Sequence, residues 1–381
     1  MRALKLFLPG DYKDAYLYRG MLLVVTSDLE LRACRIDRID EDLGRKYRRD
    51  ALLITSTLQR WRRNADPERF GASLIDDLAG YYNKSHPTSD VVLNIDEGML
   101  SAPQKLDVQG FFLLDMDIYK RSLYACTDDG LFRQDLEWER EDVGVSGDAV
   151  KWHDAECLHV SLRYETMNVS CGDDGLFTTH NGHKHSDEKR RPSLKQTAKK
   201  SMLSRWIGPD VINYPDYDDP VFLKSDIQKS PDVKYQQIEV AEIGVEEYQL
   251  KSGFGKRIKT VAAGSIDFTF NTEYALFIHT RDNDLFSLGI RHNPEEPPEL
   301  TTLRSFGKLS EQILSAHFCR SGQIVESFDR VLVLTRDEKR ELVASRGKSI
   351  RTYNRSAQFQ DVVTVTANDG VHVIYLIAPQ S

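Results

Sequence analysis

Apolar residues in this chain come in short runs, and two-residue alternation takes over between them. Met21-Leu22-Leu23-Val24-Val25 is unbroken, as a strand buried on both faces requires. After Ser27-Asp28, Leu29, Leu31 and Ala33 alternate with Glu30, Arg32 and Cys34, the pattern of a strand with one wetter face. Ala3 to Leu8 reads as a further strand. The rhythm resumes in Phe111 to Leu114, Ser122 to Cys126, Leu131 to Arg133, Ala149 to His153, Leu158 to Leu162, Met167 to Cys171 and Leu176 to Thr179. Trp206-Ile207, Val211-Ile212, Val221 to Leu223, Tyr274 to Ile278, Arg330 to Leu334 and Val362 to Val365 carry it on.

One stretch breaks this period. From Asp42 through Leu52, Leu53, Ile54, Leu58 and Trp61 the apolar steps are three and four, which is helical spacing. A second helical piece is expected from Phe70 to Tyr82, after Asp66-Pro67-Glu68. Residues 40–84 therefore read as a helical insertion, and residues 85–104 as a loop back into the sheets.

A phrase recurs inside the β pattern. Asp128-Asp129-Gly130-Leu131-Phe132 returns as Asp173-Asp174-Gly175-Leu176-Phe177 and, softened, as Asp218-Asp219-Pro220-Val221-Phe222, with a step of 45 residues both times. Related turn marks stand near Asp28, Asn283, Asp337 and Asp369, seven in all. Asp and Gly suit tight hairpins, so the phrase has a structural cause. Two adjacent carboxylates do not make a calcium site. A fixed period of this size marks four-stranded blades.

On blade period and turn phrase the chain resembles the β-propeller superfamily, including WD-repeat proteins, although the regular Gly-His and Trp-Asp dipeptides are absent. The expectation is an all-β, seven-bladed β-propeller over residues 1–381, with six blades as the alternative. The strand Ala3 to Leu8 would complete the last blade, since closure by both chain ends removes an unpaired edge. The resemblance implies a preference for binding protein partners.

Composition narrows the field. Of 381 residues, 40% are hydrophobic and 29% charged, which suits a globular protein with a large core. No apolar run is long enough for a membrane span. The start lacks a leader-like cleavage site, and five scattered cysteines form neither a disulfide framework nor a zinc pattern. The expected setting is intracellular, cytoplasmic or nuclear. No cofactor is implied, and the motifs of hydrolytic, nucleotide-binding and metalloprotease sites do not occur.

Three stretches carry candidate chemistry. His180, His183 and His185 are close in sequence, but the surrounding segment is polar and shows no second shell, so no metal site is assigned. The segment 181–205 reads as a basic flexible loop carrying Lys184, Lys189, Arg190, Arg191, Lys195, Lys199, Lys200 and Arg205 on a chain of net charge −8. An acidic protein or nucleic-acid phosphates would suit it. In the insertion, Arg45, Lys46, Arg48, Arg49, Arg60, Arg62 and Arg63 with Trp61 flank the apolar face. That face either docks on a partner or packs on the chain's own sheets. The favoured function is a non-catalytic interaction scaffold within a larger complex, binding other protein subunits through insertion and loop. A nucleic-acid-associated subunit, and a propeller hydrolase or lyase using Asp115, Asp117 and Asp154, are the alternatives.

Overall fold

A computed structural model describes residues 2–48, 50–58, 90–139, 142–163, 166–180, 194–207, 210–216, 219–229, 236–242, 266–272, 275–293, 296–309, 312–335, 339–354, 356 and 359–377. The elements in chain order begin with β1 (Arg2–Pro9), β2 (Tyr12–Tyr18), β3 (Met21–Thr26), β4 (Glu30–Arg35), α1 (Ile36–Lys46), α2 (Ala51–Leu58), β5 (Val91–Asn94) and β6 (Gln104–Lys105). Four-stranded groups follow. They are β7 (Leu113–Tyr119) to β10 (Val143–His153) through β8 (Ser122–Thr127) and β9 (Gly130–Trp138), then β11 (His159–Arg163), β12 (Thr166–Ser170), β13 (Leu176–His180) and β14 (Lys195–Ala198). Next come β15 (Leu203–Ile207), β16 (Asp210–Asp216), β17 (Asp219–Lys229) and β18 (Gln236–Glu242), then β19 (Ile266–Asn271), β20 (Ala275–Thr280), β21 (Asp284–Asn293) and β22 (Glu296–Lys308). The chain continues with β23 (Ser315–Cys319), β24 (Gly322–Glu326), β25 (Val331–Leu334) and β26 (Lys339–Val343), and lastly β27 (Gly347–Thr352), β28 (Val362–Ala367) and β29 (Gly370–Ile377).

These strands form seven sheets, the blades of a seven-bladed β-propeller. Six sheets have four strands, and the seventh runs β27-β28-β29-β1-β5. β1 joins β29 antiparallel from Arg2 opposite Ile377 to Pro9 opposite Gly370, so the early strand completes the last blade as expected. The fifth strand was not foreseen. β5 pairs parallel to β1, Leu4 opposite Val91, and β6 completes the β2-β3-β4 sheet, so both lie where the sequence reads as a loop. α1 also begins at Ile36, ahead of the expected boundary at residue 40. The second helical piece at Phe70 to Tyr82 lies outside the described residues.

Every blade holds one turn mark, but not all at the same place. In six blades the mark joins the second and third strands, whereas Asp337 falls between β25 and β26, the third and fourth. The equivalent turn is Ser327 to Arg330, where Ser327 N donates to Arg330 O at 2.9 Å. Reassigning the mark to Asp329 removes the short last step in the sequence spacing. The glycine of the phrase answers to a close approach. A Cβ on Gly130, Gly175 or Gly370 would lie 2.2 Å from the carbonyl oxygen of His153, Ala198 or Leu8, on the fourth strand of its blade. All three have φ between +108° and +151°, where a side chain is strained.

Contact clustering divides the chain into two compact units. The first comprises Met1–Leu106, Leu136–Val145 and Ile313–Ser381; the second comprises Asp107–Asp135 and Ser146–Gln312. Within the second, the leading strands β7, β11 and β15 pack successively on one another. Within the first, β23, β27 and β2 do the same. The core between β11–β13 and the strands before them is apolar: Tyr124, Cys126, Trp152, Val160, Met167 and Val169 are all buried in one cluster.

Candidate interaction surface

The helices settle how their apolar face is used. Ile36, Ile39 and Leu43 of α1 and Ile54 and Leu58 of α2 share a buried cluster with Leu4, Leu6, Leu22 and Val24 of the first unit's strands. Asp40, also buried, accepts from Thr55 Oγ1 at 2.9 Å and ties the two helices together. The face is therefore part of the protein's own core, and of the two readings it is packing that the structure bears out. Arg45, Lys46 and Arg48 remain exposed. Arg45 Nε donates to Glu41 O at 3.1 Å, and the Lys46 ammonium lies 5.5 Å above the Tyr47 ring. Arg49, Arg60, Trp61, Arg62 and Arg63 lie outside the described residues.

The basic segment is only partly a loop. Lys195 stands exposed on β14 and Arg205 half-buried on β15, which corrects the reading of 181–205 as one flexible connection. Lys199 is exposed, while Lys200 pairs with Asp216 at 3.0 Å. That hydrogen bond holds the Lys200 ammonium above its ordinary pKa. Lys184, Lys189, Arg190, Arg191, His183 and His185 fall outside the described residues. Among the described residues no group of three metal-binding side chains is placed to hold an ion.

A surface that sequence patterning missed lies in the second unit. Phe111, Phe112 and Leu114 are 91%, 61% and 41% exposed, although the run Phe111 to Leu114 reads as a buried strand. β7 starts at Leu113, and the burial belongs to Met116 and Ile118. The main chain that carries the two phenylalanines is pinned despite their exposure. Asp128 of the turn phrase accepts from Phe111 N at 2.8 Å and Phe112 N at 3.0 Å through one oxygen. Gly110, at φ +122°, permits this turn, since a Cβ there would lie 2.7 Å from that same oxygen. The legible signal was the pairing of an apolar run with a glycine before it, rather than the run itself.

Next to this step lies a shallow concavity of about 470 Å3 lined by Trp152, His153, Asp154, Ala155, Asp174 and Phe177. Lys151 links the two features, with its ammonium 3.2 Å from Asp129 and 3.1 Å from Asp154. Partial desolvation opposes its charge, but the hydrogen bonds to Asp154 and Asp129 prevail and raise its pKa. The His153 ring packs on Phe177 with centroids 4.3 Å apart. His153 Nε2 is buried with no hydrogen-bond partner among the described residues. Trp152 contributes its rim, because Tyr124 abuts it at 5.3 Å and the Arg133 guanidinium lies 5.6 Å over its ring.

Of the three carboxylates offered for catalysis, Asp154 lines the concavity, while the other two bond to backbone. Asp115 accepts from Val160 N at 3.0 Å and Asp117 from Leu162 N at 3.3 Å, so both carboxylates hold one blade to the next. Beneath the concavity, Cys157 Sγ and Cys171 Sγ are 3.7 Å apart. The hydrogen bond with Cys126 pushes the Cys157 thiol up, and the bond with Cys157 does the same for Cys171, with burial adding to both. Thiols so raised are poor nucleophiles. All five cysteines are free and buried.

No family model matches the chain, and no curated protein matches it. Solved structures do. The β-propeller domain of Cps50 (Swd1) from Myceliophteria thermophila aligns with TM-score 0.51 at 8% identity, covering 97% of each chain. The WD40 β-propeller domain of Doa1 aligns at 0.47 and 9% identity over 99% of this chain and 96% of that one. The computationally designed Ika8 protein aligns at 0.45 and 9% identity over 98% and 99%. At such identities the likeness concerns the fold alone. Among the described residues no helix is long and apolar enough to cross a membrane.

Proposed function

We propose that the chain is a non-catalytic protein-interaction scaffold, a subunit of a larger intracellular assembly. The observation that carries this reading is the pinned pair Phe111 and Phe112. Large aromatics are the residues that most often anchor an interface, and exposing them costs solubility unless a partner covers them. Fixing them before binding lowers the entropy lost on association. Two hydrogen bonds to Asp128 do that here. Arg45 and Lys46 on α1 and Arg48 just after it, with Lys195 and Lys199, would serve as polar contacts to other subunits. Five free cysteines support a reducing compartment.

The test is recovery of partners from native extract by the tagged chain and by its Phe111→Ser/Phe112→Ser variant. A partner present in stoichiometric amount with the wild type and lost with the variant, at unchanged melting temperature, is the expected result. Equal recovery by both chains would remove the reading's support.

A further inference from the structure

The concavity beside the two phenylalanines has a chemistry of its own. Its walls are aromatic: the His153 imidazole, Phe177 and the rim of Trp152. Its polar groups are two carboxylates from different elements. Asp154 follows the end of β10 with its side chain 76% exposed, and Asp174 stands exposed in the turn before β13. That turn is fixed by Gly175, whose φ of +108° and approach to Ala198 O leave no room for a side chain. Gln196 Nε2 donates to Asp174 O at 2.8 Å and holds the turn further. Asp173 and Glu156 add negative charge nearby in the chain. The Lys151 ammonium is shared between Asp129 and Asp154, and Lys200 interacts electrostatically with Asp173.

A carboxylate-rimmed hollow with aromatic walls is matched by a cation. Aromatic faces attract one electrostatically. A guanidinium fits better than an ammonium, because it is planar, stacks on rings, presents a fork to carboxylates and is weakly hydrated. The volume of about 470 Å3 lies in the range of pockets that hold one small group. We propose that this concavity is a binding site for a cationic side chain of the protein partner, an arginine in the first place, stacked against the packed Phe177–His153 pair with Asp154 and Asp174 as its counter-charges. The proposal rests on the scaffold reading, and it names the partner's chemistry: an apolar patch to meet Phe111 and Phe112, with an arginine beside it.

The experiment is an NMR titration of the isotope-labelled full chain with N-acetyl-arginine amide, its neutral isostere N-acetyl-citrulline amide, and methylguanidine. Saturable shifts at the Asp174 and Phe177 amides and the Trp152 indole are expected with the arginine probe. The citrulline probe should bind at least about 10-fold more weakly, and Asp154→Asn/Asp174→Asn should weaken arginine binding about 10-fold. The melting temperature of that variant checks that it is folded. Equal shifts with citrulline, or none with arginine up to about 50 mM, would overturn the proposal. Methylguanidine, which carries the recognised group alone, should also bind, and its failure to shift the same amides would overturn the guanidinium seat. The Phe111→Ser/Phe112→Ser variant should still bind the probe. Failed titration with partner loss in that variant would leave the scaffold reading standing and remove only this one.

Discussion

In the second unit neighbouring blades are joined at one constant offset along the chain. Asp115 accepts from Val160 N, Asp117 from Leu162 N, and Trp206 Nε1 donates to Ser161 O, each pair 45 residues apart. In the first unit the ties run between distant parts of the sequence. Asp14 accepts from Ser349 Oγ at 2.6 Å and from the Arg351 guanidinium, Tyr353 OH accepts from Leu17 N at 2.9 Å, and Lys5 Nζ donates to Leu342 O at 2.9 Å, with separations of 335 to 337 residues. Asp90 likewise holds Arg340, Lys5 and Ala3 N. A first contact across 337 residues rather than 45 costs about 2 kcal/mol more in loop-closure entropy. The first unit contains the propeller's closing strand and uses part-buried charge pairs there, while these ties in the second run from a neutral N–H to a carboxylate or carbonyl oxygen.

Substitutions can break this contrast. The largest effect is expected at Asp14, which is 4% exposed. Asp14→Ala would strand the Arg351 guanidinium and cost about 4 kcal/mol in denaturant unfolding. A loss under about 1 kcal/mol would mean that the first unit closes on apolar packing alone. Asp115→Ala should cost less, about 1 to 2 kcal/mol, because it removes a hydrogen-bond acceptor without orphaning a buried cation. Asp115→Asn keeps an acceptor and should cost less again. An Asp115→Ala cost equal to that of Asp14→Ala would erase the distinction between the units.

The smallest effect sharpens the picture within the first unit, since not every buried carboxylate there is stabilising. Burial raises the pKa of Glu326, against the Ser315 hydrogen bond and Arg346, which lower it. The folded state thus holds this proton more tightly than the unfolded chain. Its contribution is full below the ordinary value of 4.5 and is lost as pH rises through the raised one. Glu326→Gln should therefore match the wild type near pH 4 and exceed it at pH 7 by less than about 1 kcal/mol. Thermal melts at the two pH values check this, and a variant weaker at pH 7 would show that the ion pair with Arg346 prevails.

The same contrast explains what was legible in the sequence. Blade number, the closing strand and most strand positions followed from period-two patterning and from the turn phrase, because each blade repeats its local causes. Asp337 misled because in the chain it falls between the third and fourth strands of its blade, and turn chemistry does not say which hairpin it serves. β5 was missed because Val91 to Asn94 is too short to show a period and pairs with residues far away in sequence. The exposed Phe111 and Phe112 were missed for a related reason: an apolar run announces burial, and only the Asp128 side chain, 16 or 17 residues on, reveals that it is being displayed. His153, Asp154, Asp174 and Phe177 come together from two blades, and nothing local marks them as one hollow.

The pairing of β1 with β29 also sets an order of events at the ribosome. β1 is synthesised before β29, the strand that covers its open side, with the strands of the other blades made between them. In the interval β5 can occupy one edge, but Leu4, Leu6 and Leu8 have no blade to enter and the other edge is a template for any passing strand. The nascent chain carries this unfinished edge until β29 has been made. A lesion in the last blade would then be felt at the first strand, as misassembly during synthesis rather than as lowered stability of the finished protein.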